Sequence, residues 1–407
     1  ARMDAAAAEG QRVLALAECE LPSGTVSLNM DDITPRFTLL GLVGLMDPPR
    51  AEAVAAVAEC QRAGIRVVMI TGDHAVTAAA IGRAIGLRDG QPLTGAEIDR
   101  LDDTALKERL AQTDVVARAS PEHKLRLVAT LQSAGQLVAM TGDGVNDAPA
   151  LKAADIGVAM GQRGTDAARE AADLVLTDDN FATIAAAVRE GRTVFDNIKK
   201  SLLFVLPTNG GEAGLILAAV FAGLAMPVTA AQILWINMVT SITLDISLAF
   251  EPAERGAMQR PPRPANEPLI TRWMLMRVVF VSLLLMGASF LVFNWQLARG
   301  GSLEVARTTV INMVVVGEIV YLFNVRHFTA SAFTRDTWLG NPVALGTVVI
   351  TLVLQMLLTY APPMQQLFGT AALDAGSWGV IGALAGGMFL AVEAEKWLLR
   401  RRGVHRM

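Results

Sequence analysis

The 407-residue sequence is short of several things that would place it elsewhere. It has two cysteines, Cys19 and Cys60, in its more polar half and without metal-ligand spacing. Neither a disulfide framework nor a thiolate metal site follows, and a reducing compartment is the simpler expectation. It lacks an excess of charge of one sign: 35 Lys and Arg stand against 39 Asp and Glu, a net charge of −4. That balance gives no basic footprint for nucleic acid. No signal-peptide pattern and no initiator methionine open it; Ala1-Arg2-Met3 reads as the interior of a longer chain. What it has in quantity is apolar residues. The mean hydropathy of +0.41 is unusual for a soluble protein, so a large part of the chain is expected in lipid.

Composition changes near residue 200. Before it, short apolar runs alternate with charged stretches. Residues 39–45, 65–70, 114–118 and 136–140 are strand candidates. Residues 52–63 and 121–133 carry helix patterns, as do the segments after Thr71-Gly72-Asp73 and after the Gly/Asp loop at 142–147. Strands alternating with helices imply crossover units and a mainly parallel sheet, whose chemistry sits at the carboxyl ends of the strands. Beyond residue 200 come six apolar segments, near 201–223, 229–250, 274–297, 308–325, 342–361 and 377–399. Each approaches the ~20 residues that cross a bilayer as a helix, and six in succession argue against buried core helices. Lys199 and Lys200 precede the first. Arg255, Arg260, Arg263, Arg272 and Arg277 lie around the second connection, Arg326 and Arg335 follow the fourth segment, and Lys396 and Arg400–Arg402 close the sixth. Loops 224–228 and 362–376 carry no Lys or Arg. By the positive-inside rule both ends of this membrane unit face the cytoplasm; Arg299 and Arg307 in the 298–307 loop run against the pattern.

Thr141-Gly142-Asp143-Gly144-Val145-Asn146-Asp147 follows an apolar strand. Two carboxylates four residues apart at a strand end suit a hard cation such as Mg²⁺, and the glycines permit close backbone approach to a phosphoryl group. An ordinary Asp/Gly turn reads the same in isolation. Two further motifs accompany it: Val68-Met69-Ile70-Thr71-Gly72-Asp73 offers a hydroxyl and backbone N–H at a second strand end, and Pro121-Glu122-His123-Lys124 opens a helix with a cation able to neutralise a transferring phosphoryl group. Alone, Lys124 reads as a surface lysine; the ordered set is specific.

That order, with Asp47-Pro48-Pro49-Arg50 ahead of it and Ala148-Pro149-Ala150-Leu151 behind, resembles the P-type ATPases of the haloacid dehalogenase superfamily. The resemblance implies an α/β, Rossmann-like phosphorylation domain, partial here, followed by an all-α bundle of six transmembrane helices like the last six of the calcium-pump subfamily. It implies three regions: 1–38 as the tail of a nucleotide-binding domain closed by a strand at 12–17, 39–187 as phosphorylation domain, and 188–407 as membrane domain, with motion passed down a helix running from Val188 through Lys200. By resemblance, Asp143 holds Mg²⁺ with Asn146 and Asp147 in support, Thr71 and Gly72 hold phosphoryl oxygens, and Lys124 pairs with the phosphoryl group. Asp73 and Arg118 position ATP, and Asp47 belongs to a hinge. The family's nucleophile lies in Asp-Lys-Thr-Gly-Thr, which this sequence does not contain; Asp31-Asp32-Ile33-Thr34 lacks the preceding apolar strand. The mechanism requires an aspartyl phosphate, so the expected partner is the N-terminal remainder of the same pump, and the present chain alone is expected to be inactive.

Polar groups inside membrane helices are costly and usually functional. Pro207-Thr208-Asn209-Gly210-Gly211-Glu212 places Asn209 and Glu212 three apart on the first span, with Pro207 and the glycines loosening the helix and freeing carbonyls. The second span carries Asn237, Thr240, Ser241 and Asp245, and the fourth carries Glu318. Interhelical hydrogen bonding is the plainer reading, most of all for Ser241 and Asn312. The calcium-pump pattern resembles this set at Asn209, Glu212, Asn237, Thr240 and Glu318, but continues Thr-Asp-Gly where this chain reads Thr240-Ser241-Ile242. A hydroxyl replaces a carboxylate, and whether Asp245 compensates stays open. Fewer anionic ligands favour one divalent ion or a monovalent one, and a Met-Val-Thr-Ser run also resembles fungal sodium pumps. The expectation is ATP-driven transport of a small cation, Ca²⁺ first, by a plasma-membrane protein. The alternatives are a Na⁺ or H⁺ pump, a phosphatase with a membrane anchor, and a non-catalytic membrane regulator.

Overall fold

A computed structural model describes residues 6, 10–20, 37–254, 256–264 and 267–402. Asp31–Thr34 and most of the expected nucleotide-domain tail lie outside the described residues. The chain divides into two compact units. One runs to Arg189 and includes a short segment from Met258; the other holds Glu190–Ala257 and the remainder.

In the first unit, β1 (Arg12–Glu18) and β2 (Thr38–Leu45) form an antiparallel pair. Leu14, Leu16, Leu39 and Leu42 of this pair are exposed. Six short strands follow: β3 (Met69–Ile70), β4 (Leu93–Thr94), β5 (Val115–Ala117), β6 (Ala139–Gly142), β7 (Ile156–Met160) and β8 (Leu174–Leu176). They alternate with α1 (Ala51–Arg62), α2 (Ala75–Ala84), α3 (Asp103–Gln112), α4 (Pro121–Ser133), α5 (Ala148–Ala153) and α6 (Asp166–Ala171). All pairings among these six strands are parallel, as alternating elements require. The expected single sheet is instead two sheets, ordered β3-β5-β4 and β6-β7-β8.

β3 and β6 do not pair. Between them lies a cavity of about 450 Å³ walled by Val68 and Ile70 on one side and Val138 and Met140 on the other. The missing neighbour explains why the strand expected over 65–70 is hydrogen-bonded only at Met69–Ile70: it has a partner on one edge alone. Helix α4 serves both sheets. Its Leu127 belongs to the core of Leu93, Ile98, Leu106 and Val116, while the adjacent Val128 packs with Met140, Leu151 and Ala159. The helix starts where Ser120 caps it, the hydroxyl accepting the His123 N–H and the His123 ring accepting the Ser120 N–H (3.0 Å), with Pro121 at the first helical position.

The second unit holds six helices long and apolar enough to cross a membrane: Phe181–Phe221, Ala230–Leu248, Arg272–Ala298, Leu303–Val325, Pro342–Tyr360 and Ala375–Arg401. The first is a 41-residue helix that begins in the other unit's part of the chain. The remaining five each start at a side-chain cap, Thr229, Thr271, Ser302, Asn341 and Asp374, whose oxygen accepts a first-turn N–H. The fourth span is buried nearly all round and forms the centre of the unit.

Candidate functional site

The phosphate motifs gather at the carboxyl ends of β3, β5 and β6. After β6 the chain makes one tight turn, Val145–Asp147, before α5 begins. The turn folds Asp147 back under its own strand end. Its buried carboxylate accepts the N–H of Asp143 (3.3 Å) and of Gly144 (3.2 Å) and pairs with the Lys124 ammonium of α4. Gly142 is required here, because a Cβ would stand 2.5 Å from the Cβ of Asp147. Asp143 and Asn146 are exposed on the same turn.

Thr71, just past β3, donates its hydroxyl to Asp73 (2.8 Å) and accepts the Asp73 N–H (3.1 Å), while its own N–H bonds to Val116 of β5 (2.9 Å). The Arg118 N–H reaches the Asp73 carbonyl (3.2 Å) from a backbone with φ +54°, a conformation rare outside glycine. The Arg118 side chain, Gly72 and Asp47 are exposed. The structure thus joins Lys124 to Asp147, and Thr71 and the Arg118 backbone to Asp73. The two turns stand on opposite sides of the β3–β6 cavity, whose wall includes Ile70, Lys124 and Thr141. At the other end of the strands Asp114 is gripped by Arg66 (2.7 Å) and Arg88 (2.9 Å). Burial alone would push its carboxyl up, but the hydrogen bonds and charge of the two guanidinium groups outweigh this and hold it below the usual carboxylate range.

The second constellation lies inside the helical unit. Pro207 has no N–H, so the carbonyl four residues earlier, Leu203, loses its helical donor. The Tyr321 hydroxyl of the fourth span takes that carbonyl at 2.7 Å, and Ser282 of the third span donates to the Pro207 carbonyl at 2.9 Å. The Leu203 carbonyl is therefore engaged by protein rather than open for coordination. Glu212 is buried; its Oε2 accepts from the Asn237 amide (2.8 Å), and its Oε1 has no partner. Glu318 of the fourth span is also buried, lies near Thr240 and Glu212, and has an unpartnered Oε2. Asn209 and Ser241 face outward from the unit. Ser241–Asp245 is a single π turn within the second span, a rare geometry found most at functional positions.

Leu285 of the third span fits between the glycines that precede the two carboxylates. A Cβ at Gly211 would meet its Cδ2 at 2.9 Å, and one at Gly317 its Cδ1 at 2.9 Å. Other carboxylates of this unit have cations. Glu251 pairs with Arg326 (2.8 Å), Glu395 with Arg277 (2.6 Å) and Glu393 with Lys396 (2.6 Å), each cation almost wholly buried. Glu212, Glu318 and Asp245 have no ion pair among the described residues.

Comparison with known proteins agrees with this division. Residues 4–155 match the haloacid dehalogenase-like hydrolase family, and residues 225–398 match the family described as cation transporting ATPase, C-terminus. The chain is 50% identical over 372 residues to the probable cation-transporting ATPase F of Mycobacterium tuberculosis, covering 90% of this chain and 41% of that protein. It is 39% identical over 378 residues to the calcium-transporting ATPase of Bacillus subtilis (92% and 42%), and 38% identical over 374 residues to the calcium-transporting ATPase type 2C member 2 of Mus musculus (90% and 40%). It belongs to the P-type cation-transporting ATPases.

This P-type ATPase chain spans about two-fifths of the length of the relatives it matches. It combines a haloacid dehalogenase-like unit with six membrane-competent helices, and is an integral membrane protein. Sequence reasoning took Arg277, Arg326 and Lys396 as flanking loop charges; the structure buries all three in ion pairs. The signal lay in the acidic residues on neighbouring elements, Glu251, Glu393 and Glu395. The charges of the 298–307 loop are also engaged: Arg299 pairs with Asp374 (2.9 Å), and Arg307 donates to the Met226 carbonyl (3.0 Å).

Proposed function

We propose that this chain is part of an ATP-driven cation pump in which the first unit handles the phosphoryl group and the six-helix unit holds the transported ion. The observation that carries the reading is the pair Glu212 and Glu318. Two buried carboxylates share a helical bundle, each with an oxygen lacking any partner among the described residues, in a unit that pairs Glu251, Glu393 and Glu395 with cations. Such groups persist within an apolar span where a cation or proton offsets their cost. Glu212, Asn237, Thr240 and Glu318 are the central ligands, with Asn209 and Ser241 at the outer margin. The ion is a small cation, with Ca²⁺ first, as the names of two relatives specify for those proteins. The hydroxyl at Ser241 favours the competing reading, Na⁺ or H⁺, because it leaves two carboxylates where a third is expected.

In the first unit Asp143, with Asn146 and Asp147, would hold Mg²⁺. The residues fit: Asp143 is exposed at a strand end, and Asp147 is fixed beside it by Lys124 and two amides. No cluster of three metal-capable His, Cys, Asp or Glu side chains occurs among the described residues. Mg²⁺ binds through one or two carboxylates plus phosphate oxygens and water, so a pair suffices. The ion would neutralise charge on the transferring phosphoryl group. Thr71 and Gly72 orient phosphoryl oxygens, Lys124 neutralises them, Asp73 and Arg118 face ATP, and Asp47 lies at the hinge. The apolar cavity between β3 and β6 has the place and lining of one further parallel strand, which the rest of the polypeptide would supply together with the nucleophile. The Lys and Arg distribution supports cytoplasmic ends, and the plasma membrane is the location proposed with them.

The test is ATP hydrolysis by the purified full-length protein with Ca²⁺, Na⁺, K⁺ and Mn²⁺ titrated separately, and hydroxylamine-sensitive labelling by ATP. Activation by one of these ions together with a labelled aspartyl phosphate is expected. Hydrolysis independent of all four, with no label, would overturn the reading.

A further inference from the structure

Asp245 closes the π turn of the second span, one turn beyond Ser241. Its carboxylate lies against Ser201 of the first span, and its Oδ1 is buried without a hydrogen-bond partner. The two lysines that precede Ser201 are directed elsewhere, Lys200 to Glu254 (3.2 Å) and Lys199 to Glu267 (3.3 Å). The neighbouring hydroxyls are also committed: Thr243 donates to the Val239 carbonyl (2.6 Å) and meets Thr351 (2.7 Å), and Ser247 donates to the Leu244 carbonyl (2.6 Å). A membrane carboxylate therefore stands with one oxygen open, a serine beside it, and no cation among the described residues to neutralise it.

We propose that Asp245 and Ser201 form a second cation-holding site, which receives a hard, oxygen-seeking cation between the Lys200 end of the bundle and the Glu212–Glu318 pair. The assignment rests on the pump reading above and adds a position to it. Ser201 precedes Glu212 by eleven residues, about 16 Å along the first span at 1.5 Å per residue, so the two sites are separate. One carboxylate and one hydroxyl give a shallow site that leaves the ion part of its water, as a passing position requires. The negative charge absent at Ser241 reappears here, one turn along the same helix. The π turn is what rotates it onto Ser201, since an extra residue in the turn shifts every later side chain around the axis.

The experiment uses the purified full-length pump, with ATPase activity titrated separately by CaCl₂ and NaCl for the wild type, Asp245→Asn, Asp245→Glu, Ser201→Ala and Glu212→Gln. Phosphorylation by inorganic phosphate without transported ion serves as the measure of an intact fold. Asp245→Asn is expected to raise the half-activating ion concentration about tenfold or more, since charge count sets cation affinity, with the phosphate reaction retained. Asp245→Glu restores most of the affinity, and Ser201→Ala shows a smaller rise. Wild-type half-activation in Asp245→Asn, or in Ser201→Ala should the first variant not fold, overturns the second site. If Glu212→Gln also abolishes activation, the pump reading stands and this inference alone falls. If the wild type itself responds to neither ion, both fall.

Discussion

The two units treat buried negative charge in opposite ways. In the haloacid dehalogenase-like unit Asp147 and Asp114 are saturated, one by Lys124 and two amides, the other by Arg66 and Arg88. In the helical unit Glu212 and Glu318 receive an amide and a hydroxyl at most, and an oxygen of each remains open. The contrast does not follow from the surroundings alone, because Glu251 and Glu393 in the same helical unit are fully matched by Arg326 and Lys396. A saturated carboxylate is held in place by partners that the chain itself provides. An open one leaves room for a partner that the described residues do not provide.

The largest effect should come from crossing that line. In the full-length pump, Asp143→Ala should lower labelling by ATP roughly 10²–10³-fold, the scale of losing one electrostatic contact to a transferring group, while ion binding to the detergent-solubilised protein is kept. Loss of both together would show that the units do not divide the work. Next in size, Arg326→Met leaves Glu251 buried with only the Asn341 amide (2.7 Å) for company. Stability should fall by about 3–5 kcal/mol, and Arg326→Met with Glu251→Leu should recover much of it; thermal unfolding of the helical unit measures both. Recovery would mark the pair as structural, unlike Glu212.

A smaller effect is expected from pH in the first unit. The Asp114 carboxyl is held below its unfolded value, so its contribution is complete above the unfolded pKa and is lost as pH falls through the lower, folded one. Hydrogen-exchange protection factors across residues 66–118, which allow for the intrinsic pH dependence of exchange, should fall below about pH 4. Asp114→Asn should remove that dependence and cost about 1–2 kcal/mol, allowing for the solvent-screened Arg88. The smallest effect belongs to Asp374. Its exposed carboxyl is held at about 2, chiefly by the Ser377 hydroxyl and N–H and by Arg299. Asp374→Asn keeps an N-cap oxygen, and melting at pH 7 should not measurably change.

Much of this was written in local sequence. Helix starts were legible to within three residues from composition alone: 121, 229, 274 and 377 were expected, and the helices begin at Pro121, Ala230, Arg272 and Ala375, each behind a local cap. The phosphate motifs were legible because a strand end, a glycine and an aspartate within seven residues dictate their own turn. The two separate sheets were not, since whether β3 and β6 pair depends on a strand that lies in neither. The partner of the Leu203 carbonyl was also out of reach: Pro207 announces a free carbonyl, but Tyr321 is more than a hundred residues away. For the same reason the arginines near the span ends read as solvent-facing until Glu251 and Glu395 were brought against them.

Leu285 makes the distance between two charges a matter of hydrocarbon. It touches the helices of Glu212 and Glu318 at the residue before each, where only glycine leaves room. A methyl added at Gly211 or Gly317 would push the helices apart, and methyls removed by Leu285→Ala would let them close. Ionic radii differ by fractions of an ångström, finer than any exchange of one ligand type for another. In this bundle that scale is set by a side chain with no polar atom, working as the gauge block against which the two carboxylates are spaced.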